Sequence, residues 1–545
     1  MMRRIRSLPL FSFFSLFSFP SEGWGPVGKA SRLIAGVHPT GPSIGLNMPR
    51  MFKDRPGDDP TRCSSLGKKG VLGLGLALIM SACTVGPNYV KPTPPPVDTS
   101  SFAETARTAA VAPTPLPDHW WQLYNDPALD RLVTEALAHN TDIRTAAANL
   151  ARARAVLSEQ RGARLPTTDL NASYTRSRTA AGQSPTGQAF ESDFFSVGFD
   201  ASYEVDLFGG VTRAIQAARG DTEAAAAELD AARVSVAAET ARAYAGACSN
   251  AAERAVAMET VGLQQKTLDL TNTLFTAGRG TRRDVQRADV LLANTQAQIP
   301  GFEAERRAAL YALATLTGRP PEQIDADADR CTTPPRVSVT VPIGDGAALL
   351  ARRPDVRAAE RTLAADTARV GVATADLYPS IKLLGSLGFG ANKVGDVFKG
   401  PSFSWSLGPL ISWNFPNQTV ARARVRQARA GADASLARFD GTVLTALKEV
   451  EQALARYAGA LDRNAALRRA EAASTEAARL SRLRFDYGAD SFLLLIEAER
   501  DRADARAALA QSDAAVADAQ VSLFKALGGG WQGAAMPERR DPVAP

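Results

Sequence analysis

Few residues in this 545-residue chain are of types that do chemistry. Three His and four Cys are too few for a cluster of imidazole and thiolate metal ligands. From Cys83 onward there is no GxSxG, HExxH, Walker A or paired Cys–His arrangement. The sequence therefore offers no enzyme and no cofactor site. What it offers is one well-placed thiol, Cys83, and scattered carboxylates that could charge a passage. Nucleic acid is a poor fit as a partner. The net charge of +6 comes from residues 1–82, which carry 11 Lys/Arg against 4 Asp/Glu, and the remainder sums to −1.

Cys83 follows Lys68-Lys69, an apolar run from Val71 to Met80 and the small pair Ser81-Ala82. A positive flank, a short apolar stretch and small residues before a cut site read as an export signal. The run is too short to cross a bilayer as a helix, which takes about 20 residues. A cysteine directly after such a site resembles the bacterial lipobox, in which the thiol is acylated and becomes the new N-terminus. Met80 stands where leucine is usual. Thr84 follows in place of the Asp that marks inner-membrane retention, so the outer membrane is the expected address. The alternative is an ordinary secretory signal with an incidental cysteine. Residues 1–82 are read as leader, and 1–47, with the apolar stretch Leu8 to Pro20, as an overextended start.

The elements that must position the rest begin with a strap. Eight prolines fall among the 34 residues from Thr84 to Pro117, which excludes helix and central strand and implies extended chain over a surface. Beyond it one pattern is written twice. Residues 118–335 and 336–530 each read as helices, two alternating segments, a very long Ala-rich helix, a Gly-centred tip and a returning helix; 531–545 are a tail. Phe208 pairs with Phe415, Gly278 with Gly488 and Gly318 with Gly528.

The helices are too long for a globule. Gly210 to Ala277 holds no proline and 20 alanines in 68 residues, and 417–487 is also proline-free. At ~1.5 Å per residue each makes a rod on the order of 100 Å, which must pack along its neighbours. Val285, Ala288, Leu292, Thr295, Ile299, Phe302, Ala309, Leu313 and Leu316 step by coiled-coil intervals, with Arg306 the breach. So do Val443, Leu447, Val450, Leu454, Tyr457 and Leu461. Pro300-Gly301 predicts a kink or break.

Four segments alternate with a period of two. They lie near 168–180, 194–207, 380–390 and 402–415, with apolar Val197, Phe199, Tyr203, Phe403, Trp405 and Ile411 set against Ser, Gly, Asp and Glu. This is the pattern of outer-membrane strands, greasy toward lipid and polar toward a lumen. Lipid cannot satisfy a sheet edge, so such strands must close, and a bacterial barrel takes about eight or more. Four strands cannot close alone. The fold class is thus mainly α with a membrane β-barrel portion shared among several copies.

Cys83-Thr84-Val85-Gly86-Pro87-Asn88-Tyr89, Trp120-Trp121, Leu165-Pro166, the duplicated halves and the two Gly-centred tips resemble the TolC-like outer-membrane factors, most closely the lipoprotein branch typified by OprM and NodT. The resemblance spans about residues 83–530. It implies a homotrimer with a twelve-stranded barrel and a long α-helical coiled-coil tunnel in the periplasm. It also implies the exit duct of a tripartite efflux system, with a periplasmic adaptor (membrane fusion protein) and a proton-driven inner-membrane RND transporter, passing drugs or toxic compounds. By resemblance, Leu493 and Glu497 constrict the periplasmic aperture, Asp284 is a further acidic gate position, and the tip turns with Phe275, Gly278, Phe485 and Gly488 meet the adaptor. A structural reading competes at each: Leu493 as a coiled-coil knob, Glu497 as solvated surface, the glycines as plain helix caps. Asp200, Glu204 and Asp206 are expected in the lumen near its outer end, or paired with Arg176 or Arg178. Cys248 and Cys331 enter an oxidising compartment; the expectation is two separate thiols. A type I protein-secretion duct and a non-pore periplasmic scaffold lipoprotein are the competing functions.

Overall fold

The computed structural model describes residues 84–93, 101–107, 109–185 and 187–537. Cys83, the export signal and Pro94-Pro95-Pro96 lie outside them. Within the strap, Ala103–Arg107 forms a 3-10 turn and β1 (Val111–Ala112) pairs in parallel with β4 (Val341–Pro342). The strap is therefore not wholly without structure: the two stretches that turn or pair are those between its proline clusters.

The first repeat follows as α1 (Pro127–His139), α2 (Thr141–Gly162), β2 (Thr167–Thr179), β3 (Phe190–Val205), α3 (Gly210–Thr276), α4 (Arg282–Gln296) and α5 (Ile299–Leu316). After α6 (Ala326–Arg330) and β4 comes the second: α7 (Gly346–Arg352), α8 (Pro354–Ala375), β5 (Ser380–Ala391), β6 (Phe403–Ser412), α9 (Thr419–Asp486) and α10 (Phe492–Ala526). Helices α2 and α8 both have 22 residues, and α3 and α9 have 67 and 68, so the duplication extends to element length.

The coiled-coil positions do what their spacing demands. All nine a/d residues from Val285 to Leu316 and all six from Val443 to Leu461 are buried or half-buried. Arg306, the breach, turns its guanidinium to Asp329 (2.7 Å) and Glu303 (3.5 Å). The returning helix of the first repeat breaks between Gln296 and Ile299, just before Pro300, which has no N–H to donate. Its counterpart α10, without proline, runs 35 residues unbroken.

At mid-height the two repeats share one apolar core. Trp120 is fully buried and stacks on Phe524 at 4.7 Å, with Tyr124, Leu129, Leu132, Tyr244, Leu310, Leu454 and Leu523 around it. Cys248 of α3 and Cys331, which follows α6, are joined by a disulfide (S–S 2.04 Å). This corrects the expectation of two separate thiols. The chain between them, a sequence separation of 83, forms a helical hairpin that runs out to the first tip and back. The return brings a distant stretch of sequence to the level it left.

Beside the disulfide, Asp325 holds Arg131 of α1 through both oxygens (2.9 Å each), and Arg131 also reaches Asp327 (2.9 Å). The Arg131 hydrogen bond, above all, depresses the Asp325 pKa, against a smaller opposing effect of burial. A depressed carboxyl contributes stability above its unfolded value that is lost as pH falls through the folded one. Hydrogen-exchange protection of α6 should accordingly hold from neutral pH to about 4 and fall below that. Protection that persists unchanged to pH 2 would show that the pair does not hold α6.

The four long strands form one antiparallel sheet in the order β2-β3-β5-β6. The chain crosses from the first repeat to the second at the β3–β5 pair, leaving β2 and β6 as open edges.

Candidate functional site: wall, tips and strap

Register decides which side chains share a face of the sheet, because neighbours across a ladder point the same way. Leu170, Phe199 and Leu387 lie in one row with Trp405; Ala172, Val197, Phe389 and Phe403 lie in the next. On this face Trp405 is 72%, Leu407 67% and Ile411 64% exposed in the single chain. A continuous apolar patch of that size marks contact with something other than water. At the helical end of the sheet, Trp413 stacks on Phe415 and Phe208 on Tyr378 (4.6 Å each), a placement suited to a membrane boundary.

The opposite face is mostly polar and small, with Phe194, Leu384 and Leu410 as its large apolar exceptions. Ser173 meets Ser196, and Ser386 meets Ser406, both at 2.8 Å. The row Asp169–Asp200–Ser386–Ser406 crosses all four strands. Asp200 accepts from Asn171 Nδ2 at 2.6 Å, and Glu204 faces Lys382 at 3.8 Å. Because β3 runs on from Val205 into α3, Glu204 lies at the helical end of the sheet, which corrects the expected place near the outer end. Arg176 and Arg178 lie on the other face, where Arg176 pairs with Glu191 (2.7 Å), so the alternative in which they neutralise Asp200 or Glu204 is corrected by the register. Asp206 is also corrected. Strand β3 ends at Val205, and the Asp206 carboxylate accepts from the Val211 and Thr212 N–H groups and the Thr212 hydroxyl, capping the start of α3. Asp169 and Lys382 were missed in the sequence. Only the cross-strand register puts them on the polar face.

The tips are built alike. Gly278 (φ +68°) and Gly488 (φ +74°) take the left-handed conformation that closes a helix end at no steric cost. The N–H of Arg279 reaches back to Leu274 and that of Ala489 to Arg484. Each returning helix then opens on a hydroxyl cap, Thr281 or Ser491. Asp284 completes a capping box, its Oδ2 accepting from the Thr281 hydroxyl (2.5 Å) and N–H (3.1 Å). The hydroxyl bond leads the causes that hold its pKa below the usual carboxylate range. Arg484 clasps Asp490 across the second turn (2.9 Å). Phe275 is exposed, whereas Phe485 is half-buried and meets Phe492 edge-on at 6.0 Å. Tyr487, inside the second tip turn and just before its glycine, is 83% exposed.

Leu493 and Glu497 sit one turn apart on α10 and both face away from the chain, while Leu495, Ile496 and Glu499 between and beside them are buried. The equivalent positions of the first repeat, five and nine residues past Gly278, are Arg283 and Arg287, also exposed.

No helix among the described residues is long and apolar enough to cross a membrane. Among the described residues no group of His, Cys, Asp and Glu is placed to hold a metal ion.

A family model described as outer membrane efflux protein matches residues 132–319 and 347–529, one stretch in each repeat. The chain is 31% identical to outer membrane protein OprJ of Pseudomonas aeruginosa over 466 residues, 85% of this chain and 96% of that one. It is 31% identical to nodulation protein T of Rhizobium leguminosarum bv. trifolii over 465 residues, 84% of this chain and 96% of that one. The solved structure of the outer-membrane channel OprN superposes with a TM-score of 0.78 at 37% identity, covering 83% of this chain and all of the other.

Proposed function

The chain belongs to the outer membrane efflux protein family, and from that premise we propose that it is the passive exit duct of a tripartite efflux pump, working as a homotrimer. The observation that carries this reading is the two-faced sheet with two open edges. Four strands with an apolar and a polar face leave edge donors and acceptors on β2 and β6 that lipid cannot satisfy. Pairing β2 of one copy with β6 of the next satisfies both, and three copies give twelve strands. The serine- and glycine-rich face then lines the water-filled lumen, and Asp169, Asp200 and Glu204 give it a negative bias offset by Lys382.

The helical hairpins extend the same passage into the periplasm. Leu493 and Glu497 face the axis at its far end and narrow it. Asp284 serves mainly to start α4. The tip turns, with Phe275, Tyr487 and the glycine caps, offer an apolar docking surface to a periplasmic adaptor, which joins the duct to an inner-membrane RND transporter. Cys83 carries the lipid anchor. Nothing in a wide polar passage selects one solute, so the exported drugs or toxic compounds are chosen by the transporter. A periplasmic scaffold would have no use for the exposed apolar face of the sheet.

Purified protein reconstituted in planar lipid should show stepwise conductance and the detergent-corrected mass of a trimer. A monomer that never conducts would overturn the proposal.

A further inference from the structure

We propose that the groove between α3 and α8 is a dedicated docking site for the chain's own N-terminal segment, with Arg213 as its latch. Arg213 is 3% exposed. Its guanidinium donates to Val85 O (3.1 Å), Gly86 O (3.1 Å), Asn88 Oδ1 (2.9 Å) and Gln216 Oε1 (2.9 Å). Every one of these acceptors is neutral, and three of the four belong to the strap. A buried cation is costly unless its donors are satisfied. The strap is therefore what makes burial of Arg213 tolerable, and Arg213 is what holds the strap.

The site is shaped as well as charged. Gly86 has φ +86°, and a Cβ there would fall 2.6 Å from Gly371 Cα. A Cβ on Gly371 would fall 2.7 Å from Arg213 Cδ. Strap, α8 and the arginine thus stack in three layers that admit no side chain between them. At the upper end Val85 N–H donates to Phe208 O (3.2 Å), and a Cβ on Gly209 would strike Thr84. At the lower end the Tyr89 hydroxyl donates to Glu360 Oε1 (2.9 Å), and the Arg361 guanidinium lies 5.5 Å over the Tyr89 ring.

The latch has two consequences. Helix α3 comes from the first repeat and α8 from the second, so the strap clamps the repeats together at the foot of the sheet. It also fixes Thr84 at the step from β3 to α3. An anchor attached just before Thr84 would enter lipid beside the barrel rather than on a loose tether; this last point alone rests on the proposed function.

Hydrogen exchange of the full-length protein in detergent tests the latch directly. Arg213→Met, which keeps the aliphatic stem, should speed exchange of the Val85 amide, which the docked strap donates to Phe208 O, by about tenfold or more, with amides of the tips unchanged. Gly371→Ala, which leaves every charge in place, should do the same by wedging the layers apart, and serves if the first variant folds poorly. Unchanged strap exchange in both variants would overturn the proposal, as would loosening spread evenly through α3 and α8. Either result would leave the conductance test of the duct untouched.

Discussion

Replacing Leu493 by serine is expected to raise the single-channel conductance of the reconstituted protein severalfold while leaving its thermal stability almost unchanged. The two halves of this expectation separate the gate from its bland alternative. In the single chain Leu493 is 43% exposed and Leu495 fully buried. A leucine that packs as a coiled-coil knob costs about 2–5 kcal/mol when truncated, whereas a surface leucine away from its own core costs within about 0.5 kcal/mol. Three apolar side chains meeting on an axis act differently: they block by dewetting a narrow passage, and a hydroxyl at the same place wets it. Leu495→Ser is the control, expected to destabilise without opening. Glu497, one turn on, should set ion preference rather than width, so Glu497→Gln should lower the preference for cations with little change in conductance. If Leu493→Ser destabilises the protein and leaves conductance unchanged, Leu493 is a knob and the constriction lies elsewhere.

Why some of this was legible in sequence and some was not follows from the range of the interactions. Proline-free, alanine-rich stretches and period-two alternation are local, so the long helices, the four strands and the break at Pro300 could be read from neighbours a few residues apart. The need for further copies was legible too, because it depends only on counting strands against what closes in lipid. Register is not local. That Asp200 faces Asp169, that Glu204 meets Lys382 and that Arg176 lies on the far face are decided by how β2, β3 and β5 align, and no single strand encodes it. Asp206 failed for another reason. Its alternation with apolar residues continued that of β3, but an acid six residues before Thr212 competes for the exposed N–H groups of a new helix, and the cap won. The gate assignment rests on the resemblance alone; the sequence around Leu493 looks like any other turn of α10.

The Cys248–Cys331 bridge was the clearest failure, and it carries the second large effect. One cysteine in a helix and the other in a loop give no sign in sequence of whether they meet, and it is the return of the hairpin that brings them together. In the chain-entropy account, closing a loop of 83 residues removes about 4–5 kcal/mol from the unfolded ensemble. That is a large share of the ~5–15 kcal/mol that separates a typical folded domain from its unfolded chain. The bridge ties α6 and the segment after it to α3, where Cys248 is fully buried within the mid-height core. Reduction of the wild type and the double change Cys248→Ala, Cys331→Ala should therefore lower the melting temperature by several degrees and to the same extent, and reductant should then have no further effect on the variant. Alanine at 248 keeps the site apolar and close in size, so the loss reports the cross-link rather than a cavity. The ion pairs of Arg131 with Asp325 and Asp327 grip the same segment independently. Loss of the bridge alone should leave α6 docked at neutral pH, and loss of the bridge together with acid below pH about 4 should release it. A reduced protein that melts where the oxidised one does would mean that the packing around Trp120 already fixes this level of the tunnel and that the bridge adds nothing to its stability.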